Sequence, residues 1–311
     1  MRESTGPGAF VHPALFYANR YEYLAGTVPF IQAGLAADEP VMVAVPEENL
    51  DHIRTALGAD AADVQLHDMG VAGRNPGRIL PGVLLAFADA HPDRAVRIIG
   101  EPVWAGRTAD EYPACAQHEA LINAAFTGRR ATILCPYDTG RLDRNWLDDA
   151  YRTHPTVRTA TAAWDSPHYA DPLVVADGFN LPLPPPPAYA ETVVIEFHTL
   201  WALRRLVTAQ ALAAGLAPDR VTDLTLAVNE LAANTVEHGG ATGTLAVWTD
   251  GSQLICQLTD TGHITEPLAG RIPAAPDQDG GRGLVLVNEL CDLVRVHTRP
   301  GATSIRVHMH R

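Results

Sequence analysis

The chain has 311 residues, enough for two cores of ordinary size, and its 47% hydrophobic and 19% charged residues make a globular balance rather than a disordered one. A net charge of −13 with no basic block excludes a binder of nucleic-acid backbone, which needs clustered cations to release counterions. All 23 basic residues are arginine, so the chain has neither a Walker A loop nor lysine Schiff-base chemistry.

The longest apolar runs, such as Val41-Met-Val-Ala-Val45, are too short to cross a bilayer, and no secretory signal opens the chain. A cytoplasmic protein without membrane contact is therefore expected. Cys115, Cys135, Cys256 and Cys291 lie far apart with no Cys-x-x-Cys pair, which predicts reduced, mostly buried thiols.

From residue 10 to about 154, short β-branched runs alternate with helical stretches. The runs 41–45, 64–68, 96–99 and 132–135 read as buried parallel strands. Helices are predicted near 19–37, 47–57, 76–90, 110–127 and 143–153, which builds a three-layer α/β/α domain with a mainly parallel sheet. Ligands of such sheets bind beyond the carboxyl ends of the strands, where Glu101, Trp104, Arg107 and Cys135-Pro-Tyr137-Asp138 fall. His12, Glu101, Trp104, His118 and Cys135 are either the lining of a sensory pocket for a small effector or satisfied polar residues of a core. Their spacing specifies neither a metal nor a triad.

Residues 156–190 lose periodicity and end in Leu181-Pro-Leu-Pro-Pro-Pro-Pro187, whose polyproline preference predicts a stiff spacer more readily than an SH3-type ligand. The expected division is a domain over 1–155, a Pro-rich linker over 156–190 and a second domain over 191–311.

In that second domain an edge strand is predicted over 191–197, with Thr199 capping a helix to about Ala214. Pro218, at a first helical position, opens a long helix. Strands near 242–249 and 253–259, a Gly/Pro/Ala-rich loop over 263–281, a helix over 283–291 and strands near 293–299 and 303–309 complete the chain. Helices on one face of a mixed, mostly antiparallel sheet make a two-layer α/β sandwich.

Val221, Leu224, Val228 and Leu231 form one stripe of the long helix, while Glu230, Asn234 and His238, spaced i, i+4, i+8, form a polar stripe roughly 80° away. One stripe suits a core and the other a cleft. Downstream stand Asp260-Thr-Gly262, at the end of an apolar run, and Gly280-Gly-Arg-Gly283, at a helix start.

In this order and spacing, the three segments resemble the N, G1 and G2 boxes of the GHKL ATPase superfamily, whose nucleotide site is the Bergerat fold. The short domain that holds them looks most like the RsbW-type anti-sigma-factor serine kinases. The first half of the chain resembles the MEDS domain, a sensory module related in fold to RecA-like ATPases. That resemblance rests on Phe10-Val-His12-Pro-Ala-Leu15-Phe-Tyr17, Tyr23-Leu-Ala-Gly-Thr-Val-Pro-Phe30, the Glu101 to Arg107 loop, His118-Glu119-Ala-Leu121 and Cys135-Pro-Tyr-Asp138.

The resemblance implies an ATP site with Mg²⁺. Asn234 is the metal ligand, since a neutral amide oxygen adds no negative charge beside phosphates. Glu230 matches the position that orients or deprotonates the acceptor hydroxyl. Asp260, acceptor-only when ionised, suits the adenine amine, and Gly262 permits close approach of the ring. Gly281 and Gly283 leave backbone N–H groups for phosphates, with Arg282 beside the terminal one. Thr303 falls near adenine, and His238 assists the phosphates or merely caps its helix. Two departures from the family pattern stand out: Thr235, where alanine is common, and an Asp-Thr-Gly-His stretch that lacks the fuller glycine set.

The function implied is an anti-sigma regulator. It sequesters a sigma factor and phosphorylates Ser or Thr of an anti-anti-sigma (STAS) partner, under control of the N-terminal domain, with a dimer through the ATPase domain. The alternative is a non-catalytic sensor and binding module in which nucleotide sets conformation. A two-component histidine kinase would need a dimerising hairpin with a phosphorylatable His ahead of the ATPase domain, for which the sequence has no room.

Overall fold

The computed structural model describes residues 10–272 and 281–311. They divide into two compact units, one formed by the chain up to Arg74 with Gly82–Phe179, the other by Asn75–Pro81 with Asn180–Arg311.

In the first unit the apolar runs become strands of a seven-stranded sheet: β1 (Pro13–Tyr17), β2 (Val41–Val45), β3 (Val64–Asp68), β4 (Val96–Gly100), β5 (Ala131–Asp138), β6 (Thr156–Arg158) and β7 (Ala163–Asp165). The order is β3-β2-β4-β5-β1-β6-β7, and every pairing is parallel except β6 with β7. Both β1 and β2 are buried at every position, as a central strand covered on both faces must be. Leu15, Ile31, Val43, Ile53, Ile99 and Leu134 form its dry centre.

The helices at Arg20–Ala36, Glu47–Leu57, Tyr112–Ala125 and Arg144–Thr153 follow the predicted pattern. The first begins at Asn19, whose Oδ1 accepts from the N–H groups of Tyr21 and Glu22. The predicted 76–90 helix is divided into Pro76–Arg78, a π-helical stretch Ile79–Leu85 and Ala86–Asp89; Pro81 removes an N–H from this run.

The first unit continues to Phe179, so the linker predicted over 156–190 is largely ordered structure. It contains β6, β7 and the helix Pro172–Gly178. Two strands of three residues are too short to display alternation, which is why the stretch looks aperiodic in sequence. The Pro-rich run itself has no helix or strand and is tied to the second unit's sheet, since Arg306 donates to the Pro184 carbonyl.

The second unit is a five-stranded sheet of β8 (Glu191–Ile195), β9 (Gly243–Asp250), β10 (Gln253–Asp260), β11 (Leu293–Arg299) and β12 (Ala302–His310), in the order β11-β12-β10-β9-β8. All four pairings are antiparallel, so the sheet is not mixed as expected. The long Pro218–His238 helix packs on one face beside Leu200–Ala213 and Gly283–Leu290. Leu203, Val207, Leu224, Val228, Leu231 and Val287 meet Leu245, Val247, Cys256 and Val307 there. All of the predicted apolar stripe is buried.

On the opposite face, Ala246, Trp248 and Ile255 form a smaller cluster, with Arg306 over the Trp248 ring. Thr199 does not cap the helix at Leu200. It closes the preceding 3₁₀ turn, where its hydroxyl accepts the Glu196 N–H at 2.9 Å. All four cysteines are buried as free thiols. No helix among the described residues is long and apolar enough to cross a membrane.

Candidate nucleotide site

The C-terminal turn of the Pro218–His238 helix, the end of β10 and the start of the Gly283–Leu290 helix surround a cavity of about 560 Å³. That volume is in the range of small-molecule sites, roughly 300–1,000 Å³. Asn234, Thr235, His238, Asp260, Gly262, Gly281, Gly283 and Thr303 supply its polar lining, and Leu231, Leu258, Ile264, Leu268, Leu284 and Ile305 its apolar lining. Seven of the nine predicted residues are therefore in one place, although they run from Asn234 to Thr303 in sequence. Glu230 and Arg282 do not line the cavity.

Asp260 is the last residue of β10 and is paired on both sides, with Gly243 of β9 and Thr303 of β12. Its Oδ2 accepts from the Thr235 hydroxyl at 2.8 Å and its Oδ1 from the Gly262 N–H at 2.9 Å. The carboxylate is thus oriented by two donors while lone pairs remain for a third. Thr235, a departure from the family pattern in sequence, is the residue that positions Asp260.

Gly239 and Gly262 make this arrangement sterically feasible. A Cβ on Gly239 would lie 2.5 Å from the Asp260 carboxyl carbon, and one on Gly262 would lie 3.0 Å from the Gly239 Cα. Thr303 donates to the Gly262 carbonyl at 3.0 Å and meets the Thr298 hydroxyl at 2.8 Å. Thr298 Oγ1 in turn accepts the Ile264 N–H at 2.9 Å. Thr298 was not visible as a site residue in sequence; its signal is only its register opposite Thr303.

At the other end, a Cβ on Gly283 would stand 3.3 Å from both Glu230 Oε2 and Asn234 Nδ2. The carboxylate and the amide, one turn apart on their helix, therefore both stand beside the start of the next one. The first N–H groups of the Gly283–Leu290 helix have no intrahelical acceptor and no side-chain cap, and the helix dipole adds to their attraction for anions. Gly281 has φ +77°, a conformation that favours glycine. Arg282 is exposed beside it. Gly280 and the 273–280 part of the predicted loop lie outside the described residues.

The residues present fit a nucleotide with Mg²⁺. A carboxylate stands at a half-buried strand end, glycines leave space that a Cβ would fill, and N–H groups without an intrahelical acceptor gather at a helix start. Asn234 would hold the metal through its amide oxygen, Asp260 the base, and Gly281 and Gly283 the phosphates.

The five predicted sensory residues fall into separate networks. His12 Nε2 lies 3.4 Å from Cys135 Sγ. Glu101 instead accepts from Tyr17, Tyr23 and both-sidedly from Asn49, at 2.9–3.4 Å. Burial pushes the Glu101 carboxyl up to about 8, against the hydrogen bonds from Asn49, Tyr17 and Tyr23. Trp104 stacks under the Arg107 guanidinium at 3.8 Å, and His118 is buried on the Tyr112–Ala125 helix.

Residues 11–155 match the family model of MEDS, the methanogen/methylotroph DcmR sensory domain, and residues 196–309 match that of the histidine kinase-like ATPase domain. No curated protein matches the chain. Among solved structures, the RsbU and RsbW domains of Rv1364c from Mycobacterium tuberculosis are 17% identical, with 40% of this chain and 33% of that one covered and a TM-score of 0.31. The Acinetobacter baumannii histidine kinase AdeS is 10% identical, with 44% and 73% covered and a TM-score of 0.24. The chain spans only 33% of the first, and likenesses this low are no argument for a shared activity. The two family matches stand on their own: the chain carries a MEDS domain at its N-terminal end and a histidine kinase-like ATPase domain at its C-terminal end.

Proposed function

We propose that the C-terminal domain binds ATP with Mg²⁺ and phosphorylates a Ser or Thr of a STAS-domain anti-anti-sigma partner, sequestering a sigma factor when that partner is absent. The N-terminal MEDS domain tunes both activities, through a small effector. The observation that supports this reading is that Asn234, Gly283 and the oriented Asp260 line one cavity, with Glu230 beside Gly283 just outside that lining.

Bound Mg·ATP supplies the transferable phosphoryl group. Glu230 would accept the hydrogen bond of the partner's hydroxyl and take up its proton as that oxygen bonds to the γ-phosphorus and the β–γ anhydride bond breaks, with ADP as the leaving group. Since phosphoryl transfer runs through a loose transition state, Glu230 contributes more by positioning than by basicity. Arg282 screens the terminal phosphate. The protein works in the cytoplasm, as a dimer through the ATPase domain.

A second reading keeps nucleotide binding without transfer, and it is favoured by the position of Glu230 outside the cavity lining. Incubation with radiolabelled ATP and candidate STAS proteins separates the two. Label on the partner supports the kinase; binding without label supports the module.

A further inference from the structure

In the first unit, the residue before β1, β5, the Tyr112–Ala125 helix and the residue after the Arg144–Thr153 helix bring His12, Cys135, Glu119 and His154 together in the interior. All four are buried, none more than 1% exposed. One ligating atom from each lies within 4.8 Å of the other three. His12 Nε2 is 3.4 Å from Cys135 Sγ and 3.5 Å from Glu119 Oε2, and His154 Nε2 is 3.1 Å from that same oxygen. Ligands bound tetrahedrally at ~2.0–2.3 Å stand ~3.3–3.8 Å from one another, so these separations are close to the edges of such a tetrahedron.

The hydrogen bonds behind the cluster decide which ring nitrogens face it. Asn123 turns its Nδ2 to the carbonyls of Ala120 and Thr153, so its Oδ1 is left to accept from His12 Nδ1 at 3.1 Å. His154 Nδ1 lies 2.9 Å from the Ala150 carbonyl, which can only accept. Both rings thus donate through Nδ1 and turn Nε2 to the Glu119 carboxylate, that of His12 also to the Cys135 thiol. Metal-ligating histidines are held in this way, with the second N–H on a carbonyl or amide oxygen.

Without a cation, the cluster is poorly satisfied. Neither carboxylate oxygen of Glu119 nor His154 Nε2 makes a hydrogen bond of acceptable geometry. Burying a polar group without a hydrogen-bond partner is costly, and a carboxylate costs more than a neutral group. Aromatic rings flank the cluster: Phe10 stacks on His12, and Tyr137 meets His154 edge-on.

We infer that His12, Glu119, Cys135 and His154 form a closed, four-ligand site for a divalent metal of the zinc class. One thiolate and one carboxylate offset the two positive charges of the ion, so the loaded site is neutral in a medium that penalises net charge. Binding breaks the Cys135 S–H bond, forms a metal–sulfur bond and releases that proton to solvent. With four protein ligands there is no open position, which makes the ion structural and places its entry during folding rather than by diffusion into the finished domain.

The test uses the full chain, expressed in zinc-supplemented medium, freed of Mg²⁺ and nucleotide, and assayed by elemental mass spectrometry. About one zinc per chain is expected, with loss in His154→Gln and Cys135→Ser. Refolding with Co²⁺ should give tetrahedral d–d bands and a thiolate-to-cobalt charge-transfer band that Cys135→Ser abolishes. Where a variant does not fold, the wild-type stoichiometry and cobalt spectrum decide alone. Zinc far below one per chain together with no cobalt spectrum overturns the site, as does a charge-transfer band that persists in Cys135→Ser.

Discussion

The Thr235 hydroxyl donates to Asp260 across 2.8 Å, linking the last turn of the motif helix to the last residue of β10. Asp260 therefore enters the site already oriented. Asp260→Asn replaces one acceptor by a donor; a hydrogen bond to a charged group is worth about 1.5–3 kcal/mol, so ATP affinity should fall roughly ten- to hundredfold. Thr235→Val keeps the volume and removes the tie, and its loss should be smaller. Calorimetric titration with ATP measures both; equal affinity in wild type and Asp260→Asn removes Asp260 from the site.

Glu230→Gln and Asn234→Ala should fail at different steps. The near-isosteric amide keeps the shape beside Gly283, so Glu230→Gln binds nucleotide with wild-type affinity while transfer drops about 10²–10⁴-fold. Asn234→Ala loses Mg-dependent binding itself. Uniform unfolding cannot imitate this split. Wild-type transfer by Glu230→Gln would exclude it as the hydroxyl-facing group.

Gly262→Ala should weaken nucleotide binding and cost about 1–3 kcal/mol of stability, since the new Cβ would meet Gly239 Cα at 3.0 Å and backbone cannot move aside as a side chain can. Chemical denaturation with and without ATP gives both numbers. A variant as stable and as tight-binding as wild type contradicts the close approach.

Glu101 makes a pH prediction with a definite sign. Its folded pKa, up at about 8 through burial, lies above the ordinary carboxylate value of 4.5, so the folded state holds the proton longer. Its stabilisation is complete below about 4.5 and declines as pH rises towards 8. The melting temperature of Glu101→Gln should therefore vary less over that interval than that of wild type. Parallel pH profiles would show that Glu101 is ionised throughout.

Much of this molecule is readable in its residues, and what is not has physical causes. The 3.6-residue stripe of Val221, Leu224, Val228 and Leu231 predicts the buried face of its helix, because burial follows period alone. Box order predicts that Asn234, Asp260 and Gly283 share a cavity. Thr235 reads as a defect in that pattern until the register of β10 shows what its hydroxyl reaches. The helix Pro172–Gly178 is masked by its length, although Asp171, which accepts from the Leu173 and Val174 N–H groups, and Pro172 form a legible start signal. Glu119 and His154 are silent in sequence as partners of His12 and Cys135, since they come from four separate elements and no spacing records the folding that joins them.

Thr303 is held from two sides at once: it faces Asp260 across one ladder and Thr298 across the other. For β12 to slide by one residue, it would have to break register with both neighbours and turn Ile305, Val307 and Met309 out of the core. A residue added at the exposed Pro300–Gly301 tip, where Gly301 already has φ +80°, is thus absorbed by the tip. That tip is a permissive insertion point: a short peptide tag or a fluorescent label placed there would report on the adjoining nucleotide cavity while leaving its chemistry intact.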